Sequence, residues 1–331
     1  MAKKWMVVVA AILATMVAIF ALLLFLPKSN SGTERILVKK GDSISSLSRQ
    51  LDEKGLIYSR PFLVLSSTLL GRSQVRPGQY RLPESISTWN ILQKLAGNPD
   101  SLFVRIPEGS TFADMRAIIN QLPHLEHETK GLSTQALLQK IDPKQEAKHP
   151  EGLFFPDTYE YTPGMSDVDL YKTSYKKMQG QLQDAWDDRQ GNLPYKTPYE
   201  LLIMASIIER EVFRDEDRAK VARVFYNRLK MGMQLQSDAN VAYAVKKTGT
   251  IWTTAAERKN KSPYNTYLHK GLPPGPICSP GLACLKAAAN PEQHDYIYFV
   301  ARGEDGSHVF STNLAAHNKA VREYWAKRRG K

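Results

Sequence analysis

From Trp5 to Pro27 the chain carries no charged residue, and the run is apolar on every face. About 22 residues of helix span roughly 30 Å, the thickness of a bilayer's hydrocarbon core. The run exceeds the apolar region of about 7–15 residues usual in a signal peptide, and no A-x-A site follows. It predicts an uncleaved single-pass anchor over 5–27, with a short N-terminus at 1–4 and a tether at 28–34. The rest of the chain alternates between short strand-like and helix-like patterns. Ile36-Leu37-Val38-Lys39-Lys40 reads as a strand. Asp42 or Ser43 then caps a helix with Ile44, Leu47 and Leu51 on its apolar stripe. Ser59-Arg60-Pro61 opens a second helix, and Gly78–Leu82 reads as a returning strand. Strand–turn–helix patterns recur before Trp89–Leu95 and before Phe112–Leu122.

This β-α-α-β order, with its Val38-x-x-Gly41-Asp42-Ser43-Ile44 start, resembles a LysM module, a resemblance that implies binding of glycans containing N-acetylglucosamine. A positioning domain that never touches sugar fits equally well. The unit occupies 35–122, and the polar stretch 123–150 reads as a boundary. His124 and His127 within it lack the spacing of a zinc site and are expected to face solvent. Glu151–Tyr159 is aromatic and turn-rich: a packed loop over a core or, as the alternative, an aromatic wall for sugar rings.

In the C-terminal half, Thr197-Pro198-Tyr199-Glu200 has the form of a capping box with proline at the first helical position. The helix it starts is apolar almost all round through Ile208, which predicts a central position. Glu209 and Glu211 end it, about 160° apart around the axis. A buried carboxylate there would have a raised pKa, as a general acid near neutral pH requires. An ordinary surface cluster with Arg210 and Arg214 remains open on spacing alone. A second helix is predicted from Asp215 to Gly232, with basic side chains including Arg228 around its apolar side. Met233–Asp238 alternates like a strand. Tyr296–Val300 and Ser307–Ser311 read as a hairpin turning around Glu304-Asp305-Gly306, and a last helix runs from Leu314 to about Lys327.

Composition narrows the classes. The chain has 331 residues, 42% hydrophobic and 24% charged, which excludes wholesale disorder. Two cysteines exclude a disulfide scaffold or a cysteine-rich metal centre, and no metal or cofactor is expected. The formal charge of +12 suits nucleic acid, anionic lipid or an acidic polymer. Lys3 and Lys4 face Lys28, Arg35, Lys39 and Lys40 across the span, so local charge does not favour the N-terminus inside. A short basic start before a span and a large C-terminal body nevertheless has the layout of an N-in, C-out protein. A body outside the cytoplasm argues against nucleic acid. No G-x-S-x-G, P-loop, G-x-G-x-x-G or H-E-x-x-H motif occurs.

A dense, ordered set of motifs completes the reading: Glu151-Gly152-x-x-Phe155-Pro156-Asp157-Thr158, Ala205–Glu211, Val224-Phe225-x-Asn227-Arg228-Leu229 and Met233-x-Leu235-Gln236-Ser237-Asp238. Tyr264-Asn265-Thr266-Tyr267, Gly271–Ile277 and Thr312-Asn313-Leu314-x-x-His317-Asn318 follow. Together they resemble the YceG-like family of endolytic murein transglycosylases. The resemblance implies an α+β protein: a transmembrane helix, a small LysM-like module and a larger mixed α/β catalytic domain at 151–331. It implies a lyase of the bacterial inner membrane with its body in the periplasm, cutting the β-1,4 bond between N-acetylmuramic acid and N-acetylglucosamine inside peptidoglycan strands. The muramyl 6-hydroxyl attacks its own anomeric carbon and leaves a 1,6-anhydro end, and strand elongation stops there. One carboxyl serves as acid and then base, unlike the two-carboxylate arrangement of most glycosidases. The motif places that role on Glu211, with Glu209 as second choice or as a neighbour tuning its pKa. Gln236, Ser237, Asp238, Tyr264, Asn265, Tyr267, Asn313 and Asn318 are the expected substrate contacts. Expected partners are peptidoglycan, inner-membrane lipid and peptidoglycan synthases of the penicillin-binding type. Cys278 and Cys284 fall outside the family pattern, and in an oxidising periplasm a disulfide and two free thiols are both open. The alternative is a membrane-anchored glycan-binding or scaffold protein without catalysis.

Overall fold

The computed structural model describes residues 2–30, 32–39, 41–144, 149–249, 251–303 and 306–329. Lys40 of the first predicted strand, Glu304-Asp305 of the predicted hairpin turn and Lys331 lie outside the described residues. The architecture is mixed α+β, with two compact units. One comprises Met1–Val104, Leu122–Glu126 and Glu160–Ser166; the other comprises Arg105–Gln121, His127–Tyr159 and Asp167–Lys331.

The first unit begins with α1 (Ala2–Phe25), followed by β1 (Pro27–Ser29), β2 (Glu34–Val38), α2 (Ile44–Glu53) and α3 (Arg60–Leu69). Then come β3 (Gly78–Leu82), β4 (Ser85–Ser87), α4 (Thr88–Ala96) and β5 (Leu102–Arg105). Helix α1 is long and apolar enough to cross a membrane, with a mean hydropathy of 3.0. Ser43 caps α2 through a reciprocal capping box with Ser46. The predicted β-α-α-β order holds: β2 and β3 pair antiparallel, Ile36 opposite Tyr80, and β1 pairs antiparallel with β4. Ile36, Val38, Leu47, Leu51, Leu63, Tyr80, Leu82, Ile91 and Leu95 form one core. Each fully buried leucine or isoleucine contributes about 1.5–3 kcal/mol.

The second unit contains α5 (Phe112–Asn120), α6 (Thr134–Ile141), α7 (Asp167–Asp187), α8 (Pro198–Glu211), α9 (Asp215–Lys230) and α10 (Asp238–Ala244). Helix α11 (Leu282–Ala289), β7 (Tyr298–Ala301), β8 (His308–Ser311) and α12 (Leu314–Arg329) complete it. Strand β6 (Thr158–Tyr161) lies at the boundary between the two units in the chain. Helix α8 is central, as its apolar circumference predicts: Leu201–Ile208 are all buried, against α7, α9, α10 and α11. Strands β7 and β8 pair antiparallel, Phe299 opposite Phe310, and Phe299 meets Phe225 of α9 edge-on.

Several expectations are corrected. Met233–Asp238 forms no strand, because its buried residues Leu235 and Ser237 pack inward from irregular backbone and Gln236 adopts φ 52. Polar stretches hide elements of their own: α6 falls within 123–150, and α7 runs for 21 residues. His124 is exposed, whereas His127 is half-buried, 3.9 Å from the buried Asp167. In agreement with the first of its two readings, Glu151–Asp157 is a packed loop, with Leu153, Phe154 and Phe155 all buried, and Thr158-Tyr159 begin β6. Cys278 and Cys284 are free buried thiols, not a disulfide.

Candidate active site

The site grows from the C-terminal end of α8. Thr197 caps that helix by accepting from the Glu200 N–H at 3.2 Å, and the Glu200 carboxylate accepts from the Lys196 N–H, one residue before the cap. The apolar run then carries the helix through the core to Glu209 and Glu211, which face different neighbours.

Glu211 is half-buried. Its Oε1 accepts from Ser237 Oγ at 2.6 Å, and the Ala239 N–H also donates to the carboxyl. Burial raises its pKa above the ordinary carboxylate value, and the neighbouring Asp238 charge adds to the rise. The Ser237 hydroxyl, the Ala239 N–H and the Arg228 guanidinium act in the opposite direction. The balance favours a carboxyl that holds its proton longer than a surface glutamate.

Glu209 turns toward α11, where its Oε2 accepts from the Gly281 N–H at 2.9 Å. The Glu108 carboxyl lies against the α-carbon of Gly281; burial, and then the Glu209 charge, raise its pKa. The Arg210 guanidinium reaches the Gly109 carbonyl at 3.4 Å. These contacts tie α8 to the 107–110 turn and the start of α11. They point away from Ser237, and the strongest charges on Glu211 are Asp238 and Arg228.

Ser237 has two jobs, donating to Glu211 while capping α10 by accepting from the Asn240 N–H. Asp238 is held on several sides: Oδ1 accepts from Thr253 Oγ1 (2.6 Å), Tyr267 Oη (2.9 Å) and Arg258 Nε (3.1 Å), and Oδ2 from the other arm of Arg258. This fixes Asp238 as a charge beside Glu211 and occupies its oxygens. Asn265 is fully buried; it donates to the Arg258 and Asn260 carbonyls and accepts from the Tyr267 N–H, bracing the loop. Gln236 is exposed, and its N–H donates to the Thr266 carbonyl. Tyr264 belongs to a different cluster, tilted against Tyr243 with ring centroids 5.0 Å apart. Asn313 caps the first turn of α12 through the Ala316 N–H, and Asn318 is exposed on that helix. Among the described residues no hydrogen bond ties either to Glu211. The structure thus gathers Ser237, Asp238 and Tyr267 around Glu211 and leaves Tyr264, Asn313 and Asn318 apart from that group.

Two contributors escape the sequence pattern. Arg228 is buried, not peripheral: Nε donates to the Ile297 carbonyl (2.7 Å), Nη1 to the Leu235 carbonyl (2.6 Å), and the guanidinium lies 5.2 Å from the Tyr298 ring centroid. Its place in the Asn227-Arg228-Leu229 motif is the one signal that sets it apart from the other basic residues of α9. Glu151 is also buried; it accepts from the Phe112 N–H at the start of α5 (2.8 Å) and from Tyr243 Oη (3.3 Å). Burial pushes its pKa up to about 7 against the pull of those bonds. Among the described residues no group of His, Cys, Asp and Glu is arranged to hold a metal ion.

A half-buried carboxyl, held by a serine at the end of a central helix and flanked by a fixed anion and a buried guanidinium, is an arrangement suited to acid–base work on a polar substrate. The chain belongs to the YceG-like family, whose model matches residues 36–323. It is 31% identical over 321 residues to the endolytic murein transglycosylase of Bacillus subtilis, covering 90% of this chain and 86% of that protein. The protein of the same name in Streptococcus pneumoniae is 28% identical; the match covers 87% of this chain but only 57% of that protein. A solved structure of a YceG-like protein of Listeria monocytogenes superposes with a TM-score of 0.55 at 28% identity, covering 87% of this chain and 98% of that one.

Proposed function

We propose that the protein is a membrane-anchored endolytic peptidoglycan lytic transglycosylase and that Glu211 is its acid and base. The observation that carries the reading is the half-buried Glu211, with its raised pKa, at the end of the α8 motif of a YceG-like chain. Protonated Glu211 donates to the glycosidic oxygen as the bond to the muramyl anomeric carbon breaks. The muramyl 6-hydroxyl closes onto that carbon, and its proton passes to the Glu211 carboxylate, which restores the acid. No water enters and one carboxyl suffices. Burial and then Asp238 keep the pKa high, Arg228 limits the rise, and Ser237 fixes the orientation. Gln236, Tyr264, Asn313 and Asn318 are assigned to more distant glycan contacts, and Glu209 to holding α8 against α11.

Helix α1 anchors the chain in the bacterial inner membrane with the body in the periplasm, and residues 35–122 form a LysM-like module ahead of the catalytic domain at 151–331. The substrate reading is supported by relatives named for murein. Nascent glycan strands are the substrate, and peptidoglycan synthases are the neighbours such a strand-terminating enzyme would meet. The test is to incubate the full-length protein with isolated glycan strands and analyse the ends by mass spectrometry. Anhydromuramyl ends within long strands are expected. Reducing ends as the main product would refute the transglycosylase reading, and binding without cleavage would favour the scaffold alternative.

A further inference from the structure

Helix α3 is inside out for a water-facing helix. Leu63, Ser66 and Ser67 point into the core, while Phe62, Leu65 and Leu69 form an outward stripe at i, i+3 and i+7. Leu65 is 51% exposed and Leu69 65%. Small hydroxyl residues are thus buried where leucines stand exposed, the reverse of the usual sorting against water.

The neighbour of this stripe is α1. Phe20 of α1 meets Phe62 of α3 with ring centroids 5.2 Å apart, and Phe25 meets Trp89 of α4 at 5.5 Å. Leu24 is buried within the same unit. The length of α1 then sets the depth. Trp5 to Phe20 covers only about 24 Å of helix, less than the hydrocarbon core of about 30 Å, whereas Trp5 to Phe25 covers about 32 Å. A span that begins after Lys4 therefore needs Phe20 below the headgroups, and Phe62 at its side is carried to the same level. Tilting the helix shortens its projection and deepens the requirement.

The surrounding residues are those of a membrane interface. Tyr58 Oη donates to the Pro27 carbonyl at 2.9 Å, with Lys28 Nζ 5.5 Å from its ring centroid. The Arg72 guanidinium lies 4.5 Å from the Trp89 ring centroid. Aromatic rings backed by cations favour the headgroup level. From Lys54 to Pro83 the sequence has no acidic residue but contains Lys54, Arg60, Arg72, Arg76 and Arg81, a composition that suits anionic headgroups.

We propose that α3 is an interfacial helix, with Phe62, Leu65 and Leu69 against the acyl chains of the same bilayer that α1 spans. The inference rests on the reading of α1 as an anchor. The test uses the full chain in nanodiscs of mixed neutral and anionic lipid, with a nitroxide label on cysteines introduced singly at Ile12, Leu65 and Leu69. Cys278 and Cys284 are buried, which directs the label to the introduced site. Collision rates with oxygen, which concentrates in lipid, are compared with those of a water-soluble nickel chelate. All three sites are expected to favour oxygen severalfold, relative to free nitroxide in buffer. Lipid-like behaviour at Ile12 with nickel-accessible labels at Leu65 and Leu69 would overturn the interfacial helix and leave the anchor standing. Water-like behaviour at Ile12 would overturn both.

Discussion

Replacing Glu151 by glutamine should change how the stability of the protein depends on pH. In the folded chain Glu151 is buried between the start of α5 and Tyr243, and its pKa is about 7, against an ordinary 4.5. The folded state therefore keeps a proton that the unfolded chain gives up. With the folded pKa raised, this group's stabilising contribution is complete below about pH 4.5 and is lost as the pH climbs to about 7. The slope approaches about 1.4 kcal/mol per pH unit only between the two pKa values, so about 2 kcal/mol disappears between pH 5 and pH 7. Glutamine is neutral throughout and keeps an oxygen for the Phe112 N–H. Urea unfolding of the full chain in detergent, wild type beside E151Q at pH 5, 6, 7 and 8, isolates the site, because every other titrating group is common to both. The stability of the variant relative to wild type should grow by about 2 kcal/mol between pH 5 and pH 7 and then level off by pH 8. Parallel profiles across that range would show that Glu151 does not titrate there and would refute the argument from burial.

Other outcomes follow from the same geometry. Glu211→Gln should lower cleavage by at least about 10²–10⁴-fold with little change in melting, while Glu209→Gln should mainly loosen the contact with α11; near-normal turnover in E211Q with a dead E209Q would transfer the catalytic role. Asp238→Asn removes an anion that raises the Glu211 pKa, so the alkaline limb of the rate profile should move to lower pH. Arg228→Met removes an opposing cation and should move that limb to higher pH, with a stability loss of about 1–3 kcal/mol from two unmet carbonyls. Gly152→Ala should cost about 1–3 kcal/mol on thermal denaturation, since Gly152 has φ +76 and a Cβ there would stand 2.6 Å from that of Pro276.

Features set by local chemistry were legible in the sequence. The start of α8 follows from Thr197 and Pro198, its central position from an apolar circumference, and the divergence of Glu209 and Glu211 from helical geometry. The β2-α2-α3-β3 order and the β7–β8 pair likewise follow from short periodic runs. What stayed hidden depends on distant partners. Arg228 reads as one basic residue among several on α9 until the Ile297 carbonyl, far along the chain, comes to its side. Glu151 reads as a loop carboxylate until α5 and Tyr243 close around it. The alternation at Met233–Asp238 is real, yet it records inward packing of Leu235 and Ser237 without a neighbouring strand. Helix α7 is hard to read from the sequence because its mostly polar run shows only a narrow apolar stripe.

The double role of Ser237 has a stereochemical consequence. A hydroxyl has one proton, and that of Ser237 is committed to Oε1 of Glu211, while an Oγ lone pair holds the Asn240 N–H. While that bond is kept, Oε1 is an acceptor, which favours Oε2 as the seat of the proton in a neutral Glu211. The two oxygens of one carboxyl are thereby made inequivalent before any sugar arrives, and if Glu211 has the proposed role, a helix cap chooses the direction from which the leaving group is protonated.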